Sequence, residues 1–197
     1  MPSKQEGDIR QFNRWAATYD TSILQRWYFG PIHSAMLDLL EQEERIEHSP
    51  KSILDIGCGT GRLLRAVSAR WPKAELFGVN AAARMISEAK RLNPSATFNV
   101  ARAEALPIPN QSMDFVLSSF SFQHWADHSK GLQEIARVLR PGGLFCLADH
   151  TMRLAKVFNE RVRSGKALWA FIGSAGLAFR VHRRLWMRFV LVTVAQK

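Results

Sequence analysis

The sequence predicts an α/β protein with a doubly wound, mostly parallel sheet. Between residues 52 and 150, short apolar stretches alternate with stretches of helical spacing, which is the pattern of parallel strands with helices on both faces. Near the C-terminus, LAFRVHRRLW and RFVLVTVAQ predict a closing pair of strands that includes an antiparallel one. The sheet would then have seven strands. The first five are SILDI, AELFGVN, ATFNVA, DFVLSSF and LFCLADH.

Helical segments are expected to cover this sheet. Residues 9–19 place Ile9, Phe12 and Trp15 on one face of an amphipathic helix, and helical spacing resumes over residues 33–45 after a break at Gly30-Pro31. RLAKVFNERV and ALWAFIGSA predict two more helices beyond residue 150. A chain of 197 residues fits one domain. Residues 1–48 would form an N-terminal helical cover.

The distribution of charge indicates the kind of partner, and the cysteine content indicates the cell compartment. Residues 1–149 hold 17 Lys or Arg and 16 Asp or Glu, whereas residues 150–197 hold 10 and 1. A basic C-terminal quarter favours an anionic partner, such as nucleic acid or a membrane surface, or is a solvated face. The two cysteines, Cys58 and Cys146, lie far apart and without clustered histidines. We therefore expect a cytoplasmic protein with no disulfide and no metal site.

The stretch ILDIGCGTGRLL is the main functional motif. It places Asp55 two residues before Gly57, and Gly59 and Gly61 follow at alternate positions. Glycines between a strand and a helix let a ligand approach the backbone, at the carboxyl end of a strand where doubly wound sheets bind ligands. The G-x-G-x-G spacing differs from the G-x-G-x-x-G of dinucleotide sites. A carboxylate beside it suits a cationic group rather than a pyrophosphate.

Four motifs in order resemble the class I S-adenosylmethionine-dependent methyltransferases, of the type-11 subgroup. They are LDIGCGTG, FGVNAAARMISEAK, ARAEALPIPNQSMDFVLSSFSFQHWAD and LQEIARVLRPGG. The subgroup includes quinone-biosynthesis and other small-molecule enzymes. The resemblance implies a Rossmann-like fold, with residues 51–150 as the cofactor-binding core and residues 151–197 as acceptor-side helices and a closing hairpin. It also implies S-adenosyl-L-methionine as cofactor and S-adenosyl-L-homocysteine as product.

The same resemblance assigns cofactor contacts along the chain. Asp55 would lie near the methionyl part, Asn80 near the ribose hydroxyls, and Ser119 and Phe120 near the amine and sulfonium. Tyr19 would cover the cofactor. The remaining assigned contacts are Gly57, Cys58, Gly59 and Gly61 in the loop, with Ala81, Met85, Ala103 and Glu104 at the adenine.

Two positions depart from the family pattern. Asn80 stands where an acidic residue is usual, so a charge-assisted bond to the ribose is lost. Arg102 replaces the acid often found before Ala103 and Glu104. Both changes predict weaker cofactor binding, by roughly 1–2 kcal/mol.

Methyl transfer needs a base only when the accepting atom must lose a proton. His124 and His150 follow the fourth and fifth strands and are the candidate catalytic residues; each could instead hold a loop by hydrogen bonding. We expect in-line methyl transfer to a small, hydrophobic or aromatic acceptor. The alternatives are a methyltransferase-like nucleoside-binding protein with little turnover, an RNA methyltransferase that uses the basic C-terminus, and, for the apolar segment around Trp169, a peripheral membrane contact.

Overall fold

The computed structural model describes residues 4–20, 25–43, 49–151, 166–185 and 189–197. The α-helices are α1 (Lys4–Tyr19), α2 (Gly30–Glu43), α3 (Arg62–Arg70), α4 (Ala83–Leu92), α5 (His128–Val138) and α6 (Lys166–Ser174). The strands are β1 (Ser52–Ile56), β2 (Glu75–Asn80), β3 (Thr97–Val100), β4 (Met113–Ser119), β5 (Leu139–His150), β6 (Ala178–Leu185) and β7 (Val190–Gln196). A π-helix spans Gln25–Phe29, and a short 3-10 helix spans Phe122–His124.

All seven strands form one sheet, in the order β3-β2-β1-β4-β5-β7-β6. Strands β1 to β5 pair in parallel, and β7 runs antiparallel to both β5 and β6. The predicted α/β class, the seven strands and the antiparallel C-terminal strand are confirmed. The order reverses between β1 and β4, which leaves a crevice at the carboxyl ends of these strands.

Alternating side chains on each strand build the two halves of the core. Ile53 and Phe115 lie in one apolar cluster with α2 and α3, whereas Leu54 and Val116 lie in the other with α5 and α6. Because both faces of the central strands are covered, the sequences of these strands are almost continuously apolar. In the described residues, no helix is long and apolar enough to cross a membrane.

Two local expectations differ from the structure. The Gly30-Pro31 pair begins α2 rather than breaking the chain, because proline at a first helical turn has no N–H to leave unpaired. Strand β5 begins at Leu139, earlier than the predicted LFCLADH, since Leu139 already pairs with Met113 before a register shift. The helix predicted at RLAKVFNERV lies outside the described residues.

Candidate active site

A cavity lies at the carboxyl ends of β1, β2 and β4, where the strand order reverses. Helix α1 forms one wall of the cavity, the glycine loop after β1 forms another, and the segment after β4 forms a third. Open α/β sheets bind ligands in this crevice. The cavity is therefore the candidate active site.

The glycine loop approaches the cavity through its backbone. Gly57 and Gly59 line it, with φ angles of 77° and 54° that favour glycine. The Gly57 N–H donates to the Val79 carbonyl at 2.8 Å, which fixes the loop against β2. A Cβ on Gly57 would lie 2.2 Å from the Cβ of Ser121. Gly61 does not line the cavity, because it packs against the ring of Phe98.

Asp55 presents a carboxylate to this loop from the end of β1. The side chain is buried and lines the cavity, and its Oδ1 atom has no hydrogen-bond partner among the described residues. Burial raises the pKa of Asp55 to about 7. A buried carboxylate oxygen without a donor is costly. A cationic ligand group in the cavity would supply the missing partner.

Asn80 lies at the end of β2, on the opposite side of the glycine loop. Its Oδ1 atom accepts a hydrogen bond from the Ala82 N–H at 2.8 Å, which helps to begin α4. The side chain keeps two N–H donors and one further lone pair of its oxygen for a ligand. Ala81 and the buried Met85 extend this wall, and Ala103 faces them from the segment after β3.

The segment after β4 meets α2 at the other end of the cavity. Ser119 Oγ lies 3.0 Å from Nε2 of His33, a buried residue on α2. Burial, and secondarily the charge of Arg62, lowers the pKa of His33 to about 4, so the imidazole is neutral near pH 7. Phe29 and Phe120 meet edge-to-face with ring centroids 4.9 Å apart. This end is thus aromatic, with one neutral polar pair.

His124 is held by an acid on the first helix. Its Nδ1 atom lies 2.7 Å from Oδ2 of Asp8, and both residues line the cavity. An ionised carboxylate only accepts hydrogen bonds, so Nδ1 carries the proton and Nε2 is left as the basic atom of a neutral ring. Phe12 packs edge-on against the same imidazole, with centroids 5.1 Å apart.

The end of α1 is fixed next to the glycine loop. Tyr19 lines the cavity, and the following Asp20 accepts a hydrogen bond from the Thr60 hydroxyl at 2.7 Å and pairs with Arg65. Trp15, in contrast, is exposed and does not line the cavity. Tyr19 is therefore the aromatic residue of this helix end that can cover a ligand.

Comparison with known proteins places this site in a family. A family model described as a methyltransferase domain matches residues 54–147, which include the end of β1, the glycine loop and strands β2 to β4. A malonyl-[acyl-carrier protein] O-methyltransferase of Xylella fastidiosa is 34% identical over 160 residues, which are 77% of this chain and 52% of the relative. A demethylmenaquinone methyltransferase of Thermus thermophilus is 40% identical over 102 residues, which are 50% and 46%.

Residues 54–147 belong to the type-11 methyltransferase domain family. The chain spans about half the length of these two curated relatives. A chain from the complex of the Haloferax volcanii Trm112 methyltransferase activator with a methyltransferase has the same fold, with a TM-score of 0.75 at 23% identity. That alignment covers 94% of this chain and 96% of the other.

The cavity fits S-adenosylmethionine, the cofactor that this domain family uses. S-adenosylmethionine carries an ammonium group, and Asp55 offers a buried oxygen without a donor. Most of the sequence-predicted site residues meet at the cavity. They are Tyr19, Asp55, Gly57, Cys58, Gly59, Asn80, Ala81, Met85, Ala103, Ser119, Phe120 and His124.

Three predicted site residues lie outside the cavity wall: Gly61, Glu104 and His150. The Glu104 carboxylate accepts from the N–H groups of Ala126 and Asp127, at 2.6 and 3.0 Å. It fixes the loop that carries Trp125, which does line the cavity. His150 lies behind Phe120, with ring centroids 4.9 Å apart, and its Nδ1 is 3.3 Å from the Tyr28 hydroxyl.

Among the ionisable residues that line the cavity, sequence reasoning missed Asp8, His33 and Arg62. His33 had a detectable signal, because it interrupts an otherwise apolar stripe of α2 that includes Met36 and Leu37. Arg62 directly follows the glycine motif and could have been included with it. Asp8 gave no signal, since it is one of several polar residues on an amphipathic helix.

Proposed function

We propose that this chain binds S-adenosylmethionine and transfers its methyl group, by in-line displacement, to a small hydrophobic or aromatic acceptor in the cytoplasm. The observation that carries the proposal is the buried Oδ1 of Asp55, which lacks a donor beside a glycine loop at the switch point of the sheet. An ammonium group is the ligand that this oxygen favours.

The bound cofactor supplies a methyl group that is already activated by its sulfonium. The protein therefore contributes mainly binding and orientation. Ionised Asp55 holds the ammonium group, and the backbone around Gly57 and Gly59 allows close approach. Asn80 donates its side-chain amide toward the ribose. Phe12 on α1 and Tyr19 at the end of that helix exclude water from the reacting groups.

The acceptor would occupy the aromatic end of the cavity. Phe29 and Phe120 offer apolar surface, and the Ser119–His33 pair offers one polar contact. Where the accepting atom carries a proton, Nε2 of His124 is the atom placed to receive it, because Asp8 holds the proton on Nδ1. His150 lies behind Phe120 and would act on the acceptor only through that ring.

Calorimetry with S-adenosylhomocysteine tests cofactor binding. We expect binding to the wild type and at least a tenfold loss in Asp55→Asn, because a charge-assisted bond is removed. The matched control is Glu75→Gln, which removes a carboxylate from an exposed position at the start of β2. Absence of binding to the wild type, or equal affinities for the wild type and Asp55→Asn, would contradict the proposal.

A nucleoside-binding protein without turnover is the second candidate, and Asn80 favours it. Its carboxamide oxygen already accepts from the Ala82 N–H, so it offers the ribose hydroxyls at most one further acceptor site, and that site is uncharged. Incubation of the protein with methyl-labelled S-adenosylmethionine and pools of small acceptors separates the two functions. Label in a product supports the enzyme, whereas tight binding with no labelled product in any pool supports the second candidate.

Nucleic acid or a membrane surface remains a less favoured partner for the basic C-terminal quarter. On β6, Arg180 lies 3.6 Å from Glu43 and Arg183 donates to Gln42 at 3.0 Å, so both face α2. Ile172 is buried in the core rather than presented to lipid. RNA binding that weakens steeply with salt would favour an RNA methyltransferase instead.

A further inference from the structure

The cavity contains two arginines, Arg62 and Arg102, that no described side chain neutralises. Arg102 is exposed in the segment after β3, beside the predicted adenine contact Ala103. Arg62 begins α3 and lines the cavity, yet none of its side-chain nitrogens makes a hydrogen bond or ion pair within the described residues. The next two arginines of the helix differ: Arg65 pairs with Asp20, and Arg70 pairs with Asp38. A cation without a carboxylate in a ligand cavity leaves room for an anionic ligand group.

The charge of Arg62 acts on the aromatic end of the cavity. It contributes, after burial, to the lowered pKa of His33. The pKa of Asp55, in contrast, is shifted by burial alone. Arg62, His33 and Asp55 line the same cavity, and Arg62 forms no ion pair with Asp55 among the described residues.

The surroundings of Arg62 define the ligand further. His33 is neutral near pH 7 and adds no second charge. Phe29 and Phe120 supply an apolar wall of the same cavity, and the ring centroid of Phe29 lies 6.4 Å from that of His33. The start of α3 adds a partial positive charge. Arg62 in a cavity with aromatic rings suits a ligand with a negative charge and an apolar body.

We propose that the methyl acceptor is a carboxylic acid, whose carboxylate Arg62 binds while Phe29 and Phe120 contact its apolar part. This inference rests on the proposed function and specifies its substrate class. A guanidinium can donate two parallel hydrogen bonds to a carboxylate, which fixes the acceptor's orientation as well as its position.

A carboxylate acceptor can be methylated without a base, because its attacking oxygen carries no proton. A lone pair of one carboxylate oxygen forms the new bond to the methyl carbon, and the electrons of the breaking carbon–sulfur bond remain on sulfur. The anion and the sulfonium cancel, the products are a neutral ester and a neutral thioether, and no proton moves. His33 and His124 are then free of any proton-transfer role, and the neutral ester no longer attracts Arg62.

Paired acids and amides of equal shape test the proposal. With S-adenosylhomocysteine bound to the full chain, we expect trans-cinnamate and decanoate to bind at least tenfold more tightly than cinnamamide and decanamide. Arg62→Gln should abolish this preference and leave the affinity for S-adenosylhomocysteine within twofold. Arg62→Lys should retain part of the preference, because it keeps the charge and loses the paired donors. Mass spectrometry would detect the methyl esters.

The control is Lys90→Gln, which removes one positive charge from an exposed position on α4. It should leave the acid preference unchanged. If neither acid binds more tightly than its amide, the proposal is wrong. It is also wrong if none of the four compounds binds. If Arg62→Gln weakens S-adenosylhomocysteine tenfold, Arg62 holds the cofactor's own carboxylate and the proposal is also wrong. If the wild type does not bind S-adenosylhomocysteine, the proposed function itself is wrong.

Discussion

The Nδ1 atom of His124 lies 2.7 Å from Oδ2 of Asp8, and this contact joins α1 to the segment after β4 across the cavity. On the other side of α1, the Arg84 N–H donates to Asn13 Oδ1 at 2.9 Å. Phe12 lies between these attachments and packs against the imidazole of His124. Helix α1 is therefore fixed to both rims of the site that it covers.

Removal of the first attachment should weaken cofactor binding. In Asp8→Ala, α1 loses a charge-assisted contact, and part of the binding free energy is then spent on ordering the helix. We expect the Kd for S-adenosylhomocysteine to rise roughly five- to tenfold by calorimetry. Asp8→Asn keeps an oxygen acceptor and should stay within twofold of the wild type. Equal affinities for wild type and Asp8→Ala would show that this contact does not support the site.

Cofactor binding should depend on pH through Asp55. Its pKa is raised to about 7 by burial, and an ammonium ligand requires the ionised form. The affinity for S-adenosylhomocysteine should therefore rise as pH increases from 5.5 to 8, with a proton released from Asp55 on binding near pH 6. Calorimetry in buffers of different ionisation enthalpy measures that proton. Asp55→Asn should bind weakly and without this pH dependence; an unchanged dependence would assign it to another group.

Asp55 should also make the stability of the ligand-free protein depend on pH, in the direction opposite to cofactor binding. Because the pKa of Asp55 in the folded state lies above its ordinary value of 3.8, the folded state binds more protons than the unfolded state between pH 3.8 and about 7. The free energy of unfolding of the ligand-free protein should therefore fall as pH rises from 4 to 7.5, relative to Asp55→Asn. Each pKa unit corresponds to about 1.4 kcal/mol. Urea unfolding at both pH values measures the difference, and a gap that does not change with pH would contradict it.

The strands and the glycine loop could be predicted from the sequence because local patterns encode them. Ile53 and Leu54 face opposite covered sides of the sheet, so the run is apolar throughout. The loop needs a positive φ angle at Gly57, and the motif of alternating glycines predicts such a backbone conformation. The position of Asp55, two residues before Gly57, also predicts a carboxylate next to that loop.

The helical walls could not be predicted because distant packing creates them. The His33–Ser119 contact joins residues 86 apart, and the Asp8–His124 contact joins residues 116 apart. No local pattern fixes which face of α1 or α2 meets the cavity. For Glu104 the motif predicts a ligand contact, and the structure shows Oε1 bonded to the backbone of the loop after the 3-10 helix, whereas Oε2 has no partner among the described residues.

Restoring an acid at position 80 should strengthen cofactor binding. One carboxylate oxygen of Asn80→Asp can keep the bond to the Ala82 N–H, and the other can accept from a ribose hydroxyl. We expect the affinity for S-adenosylhomocysteine to rise roughly five- to thirtyfold, for a gain of about 1–2 kcal/mol. Gln111→Glu adds the same charge at an exposed position and should not alter it. No gain in Asn80→Asp would show that the ribose is held by other groups.

Alanine substitutions should separate two roles within the glycine loop. At Gly61 an added Cβ would lie 2.5 Å from the Asn93 amide nitrogen and 3.1 Å from the Phe98 ring, whereas at Gly59 only Tyr19, at 3.7 Å, is near. Both positions have positive φ and carry similar backbone strain. Gly61→Ala should therefore lower the free energy of unfolding by roughly 2–4 kcal/mol, and Gly59→Ala by about 1 kcal/mol.

Binding should show the reverse order for these two variants. Gly59→Ala places a methyl group beside Tyr19 in the cavity wall, so its affinity for S-adenosylhomocysteine should fall at least tenfold although most of its stability remains. Gly61→Ala, studied where it is still folded, should lose less affinity because Gly61 does not line the cavity. Gly173→Ala, on α6 with open space around it, is the control and should raise stability by roughly 0.5–1 kcal/mol. Equal losses of stability and of binding in the two loop variants would contradict this division, because the loop would then act as one unit.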